Sequence, residues 1–185
     1  MEHGSKQYKR FLTGDDEGIV EIIRLYKDGL ILYLCSFAGD IHTAEDITEE
    51  VFVKLVTKKP HFSGKSSFKT WLYTIARNAA FDFFRKNAKI SDKPIEDYAE
   101  LATEQADFER QYLQKERELM LHNALKKLKP EYRQVLYLIY FEGFTNSDTA
   151  VIMKKSKRQI ENLMYRAKKS LKAQLEKEGF VYEEL

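Results

Sequence analysis

Apolar positions along this chain recur at intervals of three and four rather than in alternation, which predicts helices and no sheet. The first predicted helix follows Asp15 and carries Ile19, Ile22, Ile23 and Tyr26 on one side. Its continuation over 30–37 is apolar nearly all round, as a central helix would be. Asp40-Ile41-His42-Thr43 interrupts the pattern, and a new helix is predicted with Thr43 as its N-cap and an acid at the third helical position. Lys58-Lys59-Pro60 ends it. Residues 61–67, with Gly64, read as a loop, after which Ser66 or Ser67 caps a helix over 68–86. Residues 90–106 contain Pro94 and no apolar stripe, and read as a linker. Helical pattern resumes near Asp107 and ends at Lys129; Pro130 then opens a helix running to about Phe141, which Gly143 stops. A short helix starting at Thr145 or Asn146 precedes a long one, capped by Ser156, that runs to about Lys177.

The expected fold is therefore all-α: two small helical domains, 1–89 and 107–185, joined by an acidic flexible linker, 90–106. Composition agrees. Hydrophobic residues make up 43% of the chain, enough for a packed core, and only eight glycines and three prolines occur in 185 residues. The net charge of +2 conceals segregation. Between Asp92 and Glu109 seven acids face Lys93 alone, and between Lys154 and Lys177 nine bases face Glu161 and Glu176. The single cysteine, Cys35, excludes an internal disulfide and sits in an apolar run as a small core residue would. The polar N-terminus lacks a signal-peptide hydrophobic region, and no run approaches the ~18 apolar residues of a membrane span, so a cytoplasmic location is expected.

Three helices carry candidate chemistry. In the helix from Thr43, residues Ala44, Ile47, Val51, Phe52 and Leu55 gather on one side. Glu45, Asp46, Glu49 and Glu50 occupy the other, with Val53 in their midst and Val56 at the edge. An apolar residue ringed by acids suits a docking face. A metal site built from Asp40, His42, Glu45 and Glu49, as in a metal-dependent nuclease, is the enzymatic rival. The acids spread over a wide arc and no second histidine converges on them, so no metal, cofactor, small-molecule substrate or catalytic residue is expected.

In the helix from Phe68, the periodicity assigns Phe68, Leu72, Ile75, Ala76, Ala79 and Phe83 to the core. The opposite arc carries Lys69, Thr70, Tyr73, Arg77, Phe81, Phe84 and Arg85, with Trp71 and Asn78 at its margin. Cations interleaved with rings suit single-stranded nucleic acid, because cations meet phosphates while rings stack on unpaired bases. In the last helix Ile160, Met164, Ala167 and Leu171 form the inward stripe. Outside lie Lys157, Arg158, Gln159, Glu161 and Asn162 near its start, and Tyr165, Arg166, Lys168 and Lys169 further along. As the second helix of a helix-turn-helix it would place the first group at base edges and the second at phosphates.

Taken in order, AEDITEEVFVKL, FKTWLYTIARNAAFDFFRK, LKKLKPEYRQVLYLIYFEGFT and SKRQIENLMYRAKKSL resemble the extracytoplasmic-function group of bacterial RNA polymerase sigma factors. The first two resemble parts of the family's region 2 and the last two its region 4. The resemblance implies that Glu45, Asp46, Glu49, Glu50 and Val53 dock on the clamp helices of core RNA polymerase. It implies that the loop, with His61, Phe62, Ser63 and Lys65, and the helix behind it, with Lys69, Thr70, Trp71, Tyr73, Arg77, Asn78 and Arg85, read and open the promoter −10 element. Region 4 would read the −35 element and touch the polymerase flap, and an anti-sigma factor is a further implied partner. Three places depart from the usual pattern: Glu49 replaces a common glutamine, Thr149 a branched aliphatic, and Lys154-Lys155 small or apolar residues at the turn. The rival from another class is a helix-turn-helix regulator that never contacts polymerase.

Overall fold

The computed structural model describes residues 3–91, 121 and 123–177, and every regular element among them is helical. Four helices form a first bundle: α1 (His3–Leu12), α2 (Glu17–Ala38), α3 (Ile41–Lys58) and α4 (Phe68–Ser91). A second group comprises α5 (Pro130–Leu136), a π-helical turn (Tyr137–Phe141), α6 (Asn146–Met153) and α7 (Lys157–Lys177). Of the expected linker, residues 92–106 lie outside the described residues, as does most of the helix expected from Asp107.

Helix α1 was not anticipated from the periodicity. Its buried stripe is Gly4, Gln7, Tyr8 and Phe11, which has helical spacing but only two large apolar members. Tyr8 is fully buried, its ring lies against Phe68 and Trp71, and its hydroxyl donates to the Pro60 carbonyl at 2.8 Å. Burial pushes that hydroxyl's pKa up to about 12, so it remains the donor throughout the neutral range.

Helix α2 is the axis of this bundle and touches α1, α3 and α4. It ends where Gly39 turns left-handed at φ 91°. The break before α3 is shorter than the sequence suggests. Asp40, not Thr43, is the N-cap: its Oδ1 accepts the Thr43 N–H at 2.8 Å, and the helix is already under way at Ile41. Asp40 takes the N-cap because its side-chain carboxylate satisfies an otherwise unpaired amide of the first turn, and Asp is at least as good a cap as Thr. At α4, Ser67 is the capping residue, accepting the Thr70 N–H at 3.0 Å. The helix continues five residues past the expected end at Lys86.

In the second group, Pro130 sits in the first turn of α5. The π-helical turn takes up an extra residue before Gly143, whose φ of 69° lets the chain reverse. Thr145 caps α6 through the Asp148 N–H. Ser156 and Gln159 cap α7 reciprocally: Ser156 Oγ accepts the Gln159 N–H at 3.2 Å, and Gln159 Oε1 accepts the Ser156 N–H at 2.7 Å. Between α6 and α7 the left-handed residue is Lys154, φ 53°, and the Lys155 N–H closes the helix end on the Ala150 carbonyl. The chain thus adopts a left-handed helix end without glycine, and the Lys155 ammonium reaches Glu131 on α5 at 3.1 Å.

Thr149, the polar replacement within α6, is fully buried and its hydroxyl has no hydrogen-bond partner. Valine has the same shape without an unmet donor. Thr149→Val should therefore raise unfolding free energy by about 1 kcal/mol, read as a higher urea midpoint at unchanged slope.

The two bundles are docked on each other, α4 against α6 and α2 against α5. Buried residues run continuously from one into the other, with Tyr33 meeting Tyr73 and Tyr137, and Tyr73 meeting Phe144.

Candidate nucleic-acid and protein-docking surfaces

Helix α3 presents the face expected of it. Ala44, Ile47, Val51, Phe52 and Leu55 are buried, and Thr48 joins them by donating its hydroxyl to the Ala44 carbonyl at 2.7 Å. Val53 is 58% exposed and Val56 41%. Asp46, Glu49 and Glu50 are exposed and Glu45 is half-buried. Val53 is thus an exposed apolar residue on the helix that carries these acids. Among the described residues no group of His, Cys, Asp and Glu could hold a metal ion. Asp40 is committed to its capping bond, and His42 stands 3.6 Å from Glu45.

Helix α4 departs from the simple two-sided division. Its buried side chains are Phe68, Thr70, Leu72, Tyr73, Ala76, Ala79, Ala80 and Phe84. Ile75 and Phe83 are only partly buried, and Phe84 rather than Phe83 turns inward against Phe37. The reason is a second neighbour: one side of α4 meets its own bundle, and another meets α6. Four members of the cation-and-ring arc are engaged by the second bundle: Lys69 and Tyr73 by residues 142–144, Thr70 by α6 and Arg77 by α5. Lys69 Nζ is 2.8 Å from Glu142 Oε2, and Thr70 Oγ1 is 3.0 Å from Asp148 Oδ1. Arg77 Nε points at Gln134 Oε1 at 3.4 Å, while its guanidinium lies 4.4 Å from the Phe81 ring centre. Burial lowers the Arg77 pKa from its usual high value. Burial also raises that of the Tyr73 hydroxyl, helped by the Glu142 carboxylate to which it is hydrogen-bonded.

Four of the remaining candidates are open. His61, Ser63 and Lys65 are exposed in the loop before α4, where Gly64 is left-handed at φ 71°, and Arg85 is exposed and paired with Asp82. Phe62 folds down onto the helix, 5.2 Å from the Trp71 ring and edge-on to Phe68. The loop is thus pinned by one aromatic side chain while its polar members stay free to meet a ligand. Trp71 and Asn78 are half-buried at the margin.

Helix α7 is divided cleanly. Ile160, Met164, Ala167 and Leu175 are buried, with Leu175 taking the full burial expected of Leu171. Lys157, Arg158, Gln159, Glu161, Asn162, Tyr165, Arg166, Lys168 and Lys169 are all exposed, Tyr165 at 71%. Gln159 Oε1 is occupied in the capping pair, which leaves its amide N–H groups for a ligand. An exposed aromatic pair on the π-helical turn, Tyr140 and Phe141, was not anticipated; Lys168 reaches back to lie 5.5 Å from the Tyr140 ring centre.

Known proteins share both halves of this arrangement. Residues 22–90 match the family model for sigma-70 region 2, and residues 118–171 match one for sigma-70 region 4. The chain is 30% identical over 158 residues to the extracytoplasmic-function RNA polymerase sigma factor SigM of Bacillus subtilis, covering 84% of this chain and 93% of that protein. It is 29% identical over 162 residues to the RNA polymerase sigma factor YlaC of the same organism, covering 87% and 94%. Among solved structures, the sigma factor RpoE of Bartonella quintana, in complex with the anti-sigma factor NepR, superposes with a TM-score of 0.67 at 25% identity. That match covers 84% of this chain and 95% of the other. CnrH, in complex with the cytosolic domain of CnrY, shares the fold with a TM-score of 0.65 at 19% identity, over 95% and 98% of the two chains.

Proposed function

The chain belongs to the extracytoplasmic-function sigma factors of the sigma-70 family, which are not enzymes, and from that premise we propose how its surfaces divide the work of initiation. Residues 1–89 grip core RNA polymerase and the −10 element, residues 107–185 read the −35 element and touch the flap, and residues 90–106 connect them. The acidic face of α3 docks on the clamp helices through Glu45, Asp46, Glu49, Glu50 and Val53. The loop and α4 take up unpaired −10 bases and so promote melting. The start of α7 enters the major groove with Lys157, Arg158, Gln159, Glu161 and Asn162 at base edges, and Tyr165, Arg166, Lys168 and Lys169 near phosphates. An anti-sigma factor is proposed as a regulatory partner, because the RpoE neighbour was crystallised with one. A cytoplasmic location is proposed because the protein would act with polymerase; among the described residues no helix is long and apolar enough to cross a membrane.

One observation carries this assignment: a single chain joins an acid-ringed, exposed Val53 to a helix-turn-helix whose nine candidate DNA contacts all face solvent. A duplex-binding regulator needs only the second. Run-off transcription with purified core enzyme on a genomic promoter library tests it. Start sites that depend on the added chain are expected; none at all, with duplex binding intact, would leave the regulator instead. Arg158→Ala should cost about 1–3 kcal/mol at one base position of the −35 element, if the guanidinium makes a two-pronged contact to guanine. Selection from randomised −35 sequences reads this as relaxed preference at that position, whereas equal weakening on all sequences would make Arg158 a phosphate contact.

A further inference from the structure

Where α5 meets α2, a buried cation lies beside the chain's one thiol. Arg133 on α5 is 8% exposed, and its Nε has no hydrogen-bond partner among the described residues. Burial lowers the pKa of its guanidinium, and Cys35 on α2 is the group that opposes that shift. Four residues further on, the Tyr137 hydroxyl is pushed above its usual pKa by burial, then by Glu142, then by Cys35. The Tyr33 ring, two residues before Cys35, lies 6.3 Å from the Tyr137 ring. The sulfur thus stands within electrostatic reach of two side chains that follow each other along one side of the second bundle. Cys35 is only half-buried, whereas a small core residue would be sealed.

We infer that Cys35 is a modification site: a thiol that hydrogen peroxide converts to sulfenic acid, with Arg133 as its positioning residue. A cation beside a thiol favours the thiolate, and partial exposure admits a small oxidant; a reactive cysteine needs both. The burial of Arg133 matters because little water screens the guanidinium from the sulfur. In the step itself the thiolate attacks one peroxide oxygen. An S–O bond forms as the O–O bond breaks, and the departing hydroxide takes up a proton and leaves as water. Sulfur loses two electrons and the peroxide gains them. The new oxygen supplies the acceptor that the Arg133 Nε–H lacks, and as a sulfenate it makes that hydrogen bond charge-assisted. With one cysteine in 185 residues, no second thiol of this chain can resolve the product. It therefore stays between α2 and α5 until an external thiol reduces it.

The test treats the purified full chain with hydrogen peroxide at neutral pH in the presence of dimedone, which traps sulfenic acid, and follows the adduct by intact-mass spectrometry. The native parent should form it about fivefold faster than the same chain unfolded in urea, where Arg133 no longer faces the sulfur. Arg133→Gln should bring the native rate down to the unfolded one, and Arg133→Lys, which keeps a cation, should retain most of the difference. Lys6→Gln, which removes an exposed cation on α1, should leave the rate unchanged. A native rate equal to or below the unfolded one would overturn the site, and this comparison needs no variant to fold. A fast native rate that survives Arg133→Gln would overturn the role of Arg133. The peroxide-treated parent, without dimedone, should also unfold at a higher urea midpoint than the reduced chain, and dithiothreitol should reverse the gain. A lower midpoint would overturn the contact between the new oxygen and Arg133.

Discussion

Gly18→Ala should unseat α1 and lower the unfolding free energy by about 2–3 kcal/mol. In an ordinary helical position the same change stabilises by roughly 0.5–1 kcal/mol, because alanine has less backbone freedom to lose. Here the sign reverses, since a Cβ at Gly18 would stand 2.4 Å from the Gln7 carbonyl oxygen and 2.7 Å from the Phe11 backbone nitrogen. Both are backbone atoms of α1, and a helix backbone cannot step aside as a side-chain tip can. The helix must therefore shift as a body, withdrawing Tyr8 and Phe11, which are 1% and 3% exposed. The damage would reach the loop before α4, proposed to meet the −10 element, because Tyr8 holds the Pro60 carbonyl and packs on Phe68 and Trp71. A urea titration should show the lower midpoint, and amide exchange should show protection lost first in α1. A midpoint equal to or above the parent's would mean that α1 does not rest on Gly18.

Much of the architecture could be read from residue spacing alone. Ile19, Ile22, Leu30 and Leu34 marked α2, which touches α1, α3 and α4 and is apolar nearly all round, and Ile160, Met164 and Ala167 marked α7, whose inward stripe is wholly apolar. The readings failed where a contact comes from a distant part of the chain or an element leans on polar atoms. Helix α1 escaped because Gly4 and Gln7 complete its buried stripe, and neither counts as apolar in a periodic pattern. On α4, Thr70 and Tyr73 were placed outside, although both are buried, because no local pattern encodes a second bundle arriving more than fifty residues later. The candidate surfaces divide in the same way. The faces of α3 and α7 were legible from charge and spacing. The cover over α4 was not, because Lys69 and Glu142 are 73 residues apart and nothing in either neighbourhood announces the other. Glu142 and Asp148 could have drawn notice only as acids flanking an otherwise basic helix-turn-helix.

Reversing Glu45 and Glu49 to lysine should weaken binding to core polymerase more than a hundredfold, about 3 kcal/mol, and leave duplex binding through α7 unchanged. Glu49 is exposed and Glu45 has 43% of its side chain accessible, so fold stability should move by no more than about 0.5 kcal/mol. The size of the effect follows from where the charges sit. Val53 is exposed about one turn beyond Glu49 on the same helix, and once a partner covers that valine, water leaves the neighbouring carboxylates as well. A lysine there faces the partner's cations at short range with little solvent to screen it, and like charges brought together across an interface cost several kcal/mol. Val53→Asp separates the two contributions, since it removes the apolar contact while adding a charge of the sign already present. It should weaken binding less than the double reversal and leave its salt dependence largely intact, whereas the reversal should flatten or invert that dependence. Equilibrium titration of labelled protein with core enzyme at two salt concentrations distinguishes these outcomes. An affinity unchanged by the reversal at low salt would show that polymerase docks elsewhere on the molecule.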